Sequence, residues 1–473
     1  VRRLKNPTQS LHPSEKGGLL EAIDMRKVEL KIINTKLLVG DDLIEAGVAI
    51  EGGKIVKIAK DPNLPDSDTT MDAKGLLMLP GVVDIHVHLR DLDLSYKEDF
   101  SSGTQAAVMG GVTTVLDMPN TSPRTADAHR LKEKVRKATS EVYCNVGFFG
   151  ELAFEPDETR KMLDQGAIGF KLYLNEPRNN QLRKEKIFVE ATQPIRLADS
   201  TLSVHAEFPS VKVEESTPRD ERSQIEQFIR SHDPQLEMRA VSKCIESAKE
   251  SGLHIHICHI STEAALSMIN QERVNGTHLT AEVTPHHLLL SEAELYRNGS
   301  YAKMVPPLRR LSDVRSMFRG LVNGNLDAIA SDHAPHSNEE KSQTFAKAPP
   351  GVPGLETMLP LLLTEVSRGT VPLRRIVQAL CENPPELFGI KDRGRIAEGY
   401  NADLILVDLA KEKTIDPRTF VSKAKFTPFE GRKVKGVPVL TIVNGVPVAK
   451  DGEIIGKPGD GRIVKPTYHT QEP

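Results

Sequence analysis

Four cysteines in 473 residues, none in a C-x-x-C pair, are too few and too scattered for a disulfide framework. Cys144, Cys244, Cys258 and Cys381 therefore point to a reducing, cytoplasmic setting. Long apolar runs are also missing. None approaches the roughly 18 residues that span a bilayer, so no membrane partner is expected. Nor is there an excess of charge. With 62 basic and 65 acidic residues the formal net charge is −3, and no nucleic-acid partner is expected either. The hydrophobic fraction is 38% before the 33 glycines are counted, which is ordinary for a globular protein. The length suits two or three domains, or one large barrel with a small companion.

Residues 1–24 differ from the rest of the chain. They open on basic Val1-Arg2-Arg3-Leu4-Lys5, turn rich in Pro, Ser and Gly, and hold no apolar core of a secretory signal. They read as a loose extension, or as the product of a start codon assigned too early. Met25 stands just before a clean strand pattern at Val28, Leu30 and Ile32. A basic organelle transit segment is the rival reading. Short strands with turn signals fill residues 26–79, for example Ala46–Glu51 and Ile55–Ala59 around Gly52-Gly53. Residues 395–409 and 434–456 have the same texture. One small β domain built from 25–79 plus 391–473 is expected, as a β-sandwich beside a body at 80–390.

Within that body apolar strands alternate with helical patterns. Strands are expected at 82–89, 112–117, 142–149, 167–174, 201–207, 253–260, 277–284 and 326–332. Helices are expected at 125–139, 157–165, 234–251 and 311–322. Eight such units predict an α/β fold, a (β/α)8 TIM-like barrel with its chemistry at the C-terminal strand ends. Residues 335–354 read as a long loop after the eighth strand, of a length that tends to be functional.

Those strand ends carry groups that are costly to bury alone. The first is Ile85-His86-Val87-His88-Leu89-Arg90, where alternation puts His86, His88 and Arg90 on one face. Two imidazoles so placed can grip a divalent cation, and the arginine beside them can hold an anion. Strand four carries Lys171 inside an apolar run, as a snorkelling lysine or as one made anionic by reaction with CO2. Strand five ends at His205. Strand six, His254-Ile255-His256-Ile257-Cys258-His259, puts His254, His256 and Cys258 on one face and His259 on the other; periodicity does not say which points inward. Strand eight ends at Asp332, a carboxylate for metal binding and proton transfer, or a helix cap.

This ordered series, with Met118-Pro119-Asn120-Thr121, Glu282-Val283-Thr284-Pro285-His286-His287 and Pro349-Pro350-Gly351-Val352-Pro353-Gly354, resembles the dihydroorotases of the amidohydrolase superfamily. The match is to the lysine-containing kind, also found as a domain of the animal multifunctional pyrimidine-synthesis protein. It runs from about residue 26 to 450. The resemblance implies zinc-dependent, reversible cyclisation of N-carbamoyl-L-aspartate to L-dihydroorotate in pyrimidine synthesis. It implies one zinc on His86, His88 and Asp332, and a second on His205 and His259. Lys171, as N6-carboxylysine, would bridge them, and Asp332 would shuttle the proton. Arg90, Asn120, Arg309 and His336 match substrate-holding positions, with Pro350 and Gly351 nearby. On the residues alone, Asn120 is also a turn residue and Arg309 a solvated charge. Cys258 and Glu282 match an extra zinc site of some relatives. The chain departs from the animal domain at Pro177-Arg178-Asn179-Asn180, so lid closure does not carry over. A homodimer and association with aspartate transcarbamoylase are the protein partners the resemblance allows. The alternative activity is another cyclic amidase: hydantoinase, dihydropyrimidinase or allantoinase.

Overall fold

The computed structural model describes residues 27–210, 218 and 220–467; the extension at 1–24 lies outside them. Eight parallel strands stand where the alternation predicts: β1 (Val82–Val87), β2 (Val112–Asp117), β3 (Asn145–Phe148), β4 (Phe170–Tyr173), β5 (Leu202–His205), β6 (Ile255–Ile257), β7 (Leu279–Val283) and β8 (Ala328–Ile329). Every residue of β1 to β6 is buried, as expected for strands covered on both faces. The ring closes at two places. After β3 the chain continues as Gly150–Glu151, which pairs with β4. At the other seam Val87 bridges His333, and the Asp84 carboxylate accepts from the backbone N–H of both His86 (3.3 Å) and Ser331 (3.1 Å). The molecule is a (β/α)8 barrel.

The four expected helices form as Ala128–Ala138, Pro156–Asp164, Pro234–Ser251 and Leu311–Val322. Their ends follow local chemistry: Asp127 caps the Arg130 N–H, and Pro234 opens a helix that Gly252 ends at φ 65°. The long loop at 335–354 contains a one-turn helix, Asn338–Lys341, started by a Ser337/Glu340 capping box.

All the strands but β2 are shorter than expected, and the backbone turns just past the expected end of β1 and within the expected span of β6. β1 ends at Val87 because Arg90, Asp91 and Leu92 take left-handed φ values of 58°, 53° and 50°. β6 ends at Ile257, and His259 turns at φ 35°. Non-glycine residues persist in this region only when their surroundings over-determine it. Around Arg90 they do. The Asp117 carboxylate accepts from Leu89 N–H at 2.8 Å, and buried Asp91 accepts from Phe100 N–H at 2.8 Å and pairs with Lys137 at 3.0 Å.

Strands from both ends of the chain form a second, nine-stranded sheet. Leu404–Thr414 pairs with Leu77–Pro80, joining the C-terminal strands to Lys27–Val39. A bulge in Lys27–Val39, with Asn34 at φ 60°, splits its pairing between Asp66–Asp72 and Leu77–Pro80. The sheet encloses Ile32, Val48, Ile55, Met78, Leu404 and Ile442 as a small β-sandwich. Among the described residues no helix is long and apolar enough to cross a membrane.

Candidate active site

A cleft of about 530 Å³ opens over the C-terminal strand ends. It is lined by His86, His88, Arg90, Asn120, Lys171, His205, His259, Asp332, His336, Pro350 and Gly351. Six strands and their loops therefore deliver distant residues to one place.

The donor atoms form two groups. In the first, Asp332 Oδ1 lies 3.1 Å from His88 Nε2 and 3.5 Å from His86 Nε2, and one ligand atom from each residue falls within 4.8 Å of the others. In the second, His205 Nδ1 and His259 Nε2 are 3.1 Å apart. Two ligands of one tetrahedral zinc at about 2.05 Å are separated by about 3.3 Å, so both spacings suit a divalent cation. Lys171 is fully buried beside the first group, its Nζ 3.4 Å from His86 Nε2 and 2.8 Å from Cys258 Sγ. Among the described residues no carboxylate pairs with that amine.

The electrostatics also suit a cation. Burial, with Arg90 and His86 adding to it, pulls the His88 imidazole down to about 3. Burial and His205 hold His259 well below its ordinary value. Both rings are thus neutral, as a ligand must be. Burial disfavours the Asp332 anion, but His86 and His88 outweigh it and hold the carboxyl well below the usual range. His88 Nδ1 lies 2.6 Å from Asn120 Oδ1 and His86 Nδ1 2.5 Å from Glu282 Oε1. Each bond fixes a tautomer that leaves Nε2 free for the cation.

The β6 ambiguity resolves unexpectedly. Its alternating face is inward: His256 bonds Glu282 at 3.2 Å and Cys258 reaches Lys171. His259 enters the same site only because its left-handed backbone turns it there. Arg90 likewise arrives by a turn and not as a continuing strand residue. Glu282 spends its two oxygens on His86 and His256. Below it, His256 Nδ1, Thr280 Oγ1 and His254 Nε2 continue a polar column at 2.9 and 2.8 Å. Cys258, His86 and Glu282 do bring three donor atoms within 4.8 Å, with the thiol pushed up by burial.

Arg90 is 8% exposed. Its Nε donates to Pro335 O at 3.2 Å, Nη2 lies 3.4 Å from His336 Nε2, and no described carboxylate pairs with it. His336 Nε2 donates to Pro350 O at 2.9 Å, and Lys97 Nζ donates to its Nδ1 at 3.2 Å. Gly351 sits at φ 135°, where a Cβ would meet Ala334 O at 2.6 Å. Its N–H already serves Lys303 O at 2.9 Å.

Arg309 needs correction. It does not line the cleft, nor is it a solvated charge. Its guanidinium is buried behind the wall, donating to Ser261 Oγ at 2.9 Å, to the His232 carbonyl and to Glu237 at 3.5 Å. Lys303, Met304 and Val305 are the residues of that segment that face the cleft. Sequence reading also missed Tyr173, Phe228 and His232. Tyr173 was findable as the second residue after Lys171 on the same strand face. His232 was not, because its partner Glu207 lies 25 residues away. Burial disfavours the Glu207 anion, but His205 and His232 outweigh it and bring the carboxyl down to about 2.

The profile of the amidohydrolase family matches residues 77–448. A dihydroorotase of Pyrococcus horikoshii is 37% identical over 451 residues, covering 93% of this chain and 97% of that protein. A dihydroorotase of Methanosarcina mazei is 34% identical over 447 residues, covering 92% and 98%. Among solved structures, the L-hydantoinase (dihydropyrimidinase) of Arthrobacter aurescens superposes with a TM-score of 0.85 at 32% identity, over 93% of this chain and all of that one.

Proposed function

The chain belongs to the amidohydrolase family, and from that premise we propose that it is a dihydroorotase, interconverting N-carbamoyl-L-aspartate and L-dihydroorotate. One observation carries the choice: Arg90 is a buried guanidinium without a carboxylate partner among the described residues, beside the metal-ligand cluster. A buried cation left unpaired is costly, and dihydroorotate brings the carboxylate that would pair with it in a bidentate fork. Hydantoin and dihydrouracil carry none. The second reading, a hydantoinase, draws on the superposition with the Arthrobacter aurescens structure.

His86, His88 and Asp332 would hold one zinc ion, and His205 and His259 a second. Carboxylation of Lys171 would turn an unpaired buried amine into a bridging anion, which suits its full burial. When bound, the two ions supply a water acidified to hydroxide near neutral pH and polarise the amide carbonyl. Asp332, held ionised, takes the proton of the attacking group and returns it to the departing ring nitrogen. Asn120 and Glu282 keep His88 and His86 in the tautomers that point Nε2 at the site. Arg90 anchors the substrate carboxylate, with His336 beside it. A third zinc at His86, Cys258 and Glu282 would have to break the bonds Glu282 makes to His86 and His256; metal analysis distinguishes two ions per chain from three. A homodimer and docking to aspartate transcarbamoylase belong to the same proposal and are tested by light scattering with and without that enzyme.

The deciding assay compares dihydroorotate, hydantoin, dihydrouracil and allantoin on the zinc-loaded enzyme and on Arg90→Met. Dihydroorotate should be the preferred substrate. Arg90→Met should lose roughly 2–5 kcal/mol of transition-state stabilisation for it, about 30-fold or more, and little for the neutral rings. Equal losses on all four would favour the hydantoinase reading.

A further inference from the structure

Phe228, Met304 and Val305 form an apolar stretch of the cleft wall, and His232 stands among them. Lys303 shares the stretch, but its Nζ donates to the carbonyls of Phe345 and Ala348 at 2.7 Å each. His232 directly follows helix Glu221–Ser231, in the segment after β5. Its partner Glu207 follows β5, which in an eight-stranded ring is four strands from β1, the strand that Arg90 follows.

Its ring is held in one orientation. His232 Nδ1 lies 3.0 Å from Glu207 Oε2. A carboxylate oxygen accepts, so Nδ1 carries the hydrogen; in the neutral form of such an imidazole Nε2 is the acceptor. No described residue bonds that Nε2. The Phe228 ring packs against the imidazole at 4.7 Å between centroids, and the Arg309 guanidinium grips the His232 carbonyl. Both main chain and ring are therefore fixed before substrate arrives, which reduces the ordering cost of binding.

We propose that His232 is a substrate-binding residue whose Nε2 accepts the imide N–H of the cyclic substrate. In dihydroorotate the ring atom opposite the carboxylate-bearing carbon is the imide nitrogen, flanked by two carbonyls and released when the ring opens. A carboxylate on Arg90 directs that nitrogen away from Arg90, toward the stretch where His232 offers an acceptor beside Phe228, Met304 and Val305. The carboxylate anchor rests on the dihydroorotase reading. The imide N–H does not, since hydantoin and dihydrouracil carry it too.

The test measures kcat and KM for ring opening on zinc-loaded wild type, His232→Phe and His232→Gln, with zinc content and melting temperature checked for each. Each enzyme is given dihydroorotate and its analogue methylated at the imide nitrogen. His232→Phe keeps a ring in place and removes the acceptor; it should lose about tenfold or more in kcat/KM, the range for one unmade buried hydrogen bond. His232→Gln retains an acceptor oxygen and should recover much of the loss. The wild-type preference for N–H over N-methyl should collapse in the phenylalanine variant. Activity of that variant within about twofold of wild type, or survival of the preference in it, overturns the proposal. If the phenylalanine variant does not fold, His232→Ala is read by the same criteria. If wild type opens hydantoin or dihydrouracil but not dihydroorotate, the dihydroorotase reading fails alone, and the variants are scored on those rings and their N-methyl forms.

Discussion

Lys134→Met should destabilise the protein strongly, in a way that depends on pH. Lys134 and Asp117 are both fully buried, with Nζ 2.5 Å from Oδ2. Lys134 also donates to Met118 O at 3.0 Å and Thr125 Oγ1 at 3.3 Å, and Asp117 accepts from Leu89 N–H, the bond before the Arg90 turn. Removing one member of a buried pair typically costs about 3–5 kcal/mol, because the other charge stays behind. In the wild type burial already raises the Asp117 carboxyl above its ordinary value, although Lys134 opposes it. Without Lys134 that opposition disappears and the carboxyl rises further. A folded-state value above the unfolded one means that the folded state binds more protons, so stability falls as pH climbs past the unfolded value of about 3.9. The deficit of the variant should therefore be small near pH 4 and widen toward pH 7.5, by at most about 1.4 kcal/mol per pH unit. Urea or thermal unfolding at pH 5 and 7.5 measures it, with KM followed as a report on the Arg90 turn. Adding Asp117→Asn should restore part of the loss, since both charges are then gone. A deficit below about 1 kcal/mol at pH 7.5, or one independent of pH, would refute the reasoning.

Lys171→Ala should bind less metal and lose nearly all turnover, and small carboxylic acids should restore some of both; full metal occupancy with normal turnover would exclude a bridging role. Asp332→Asn should retain part of its zinc and its dihydroorotate binding yet lose roughly 10²–10⁴-fold in rate, so near-wild-type turnover with full zinc would move the proton transfer to another group. Arg309→Met should lower stability and depress turnover of dihydroorotate and hydantoin by the same factor, because its guanidinium braces Ser261, Glu237 and the His232 carbonyl from behind the cleft wall; a loss confined to dihydroorotate would return it to carboxylate recognition.

Much of the site was legible along the chain because strand periodicity is a local property. His86, Lys171 and His205 belong to short apolar strands, and Asp332 follows one closely, where a charged or basic group is conspicuous. The residues placed by loops were harder. Arg309 and Arg310 are adjacent basic residues, and nothing local distinguishes a buried guanidinium behind a wall from one facing a cleft. His232 and Glu207 are unremarkable until the chain between them brings them to 3.0 Å.

Sequence alone determined the order of chemistry around the ring: a histidine pair first, then lysine, two single histidines and an aspartate, each at a strand end. It could do so because hydrophobic alternation is written in neighbouring residues. Tertiary structure decided which of those groups face one another. The left-handed backbone at His259 carries its side chain into the cleft against the simple two-residue period, and that at Arg90 turns its side chain there after the strand has ended. At Arg90 that backbone is held by Asp117, Asp91 and their lysines, which reach it from other segments of the chain. Such strain survives only where contacts distant in sequence impose it, so no local pattern records it.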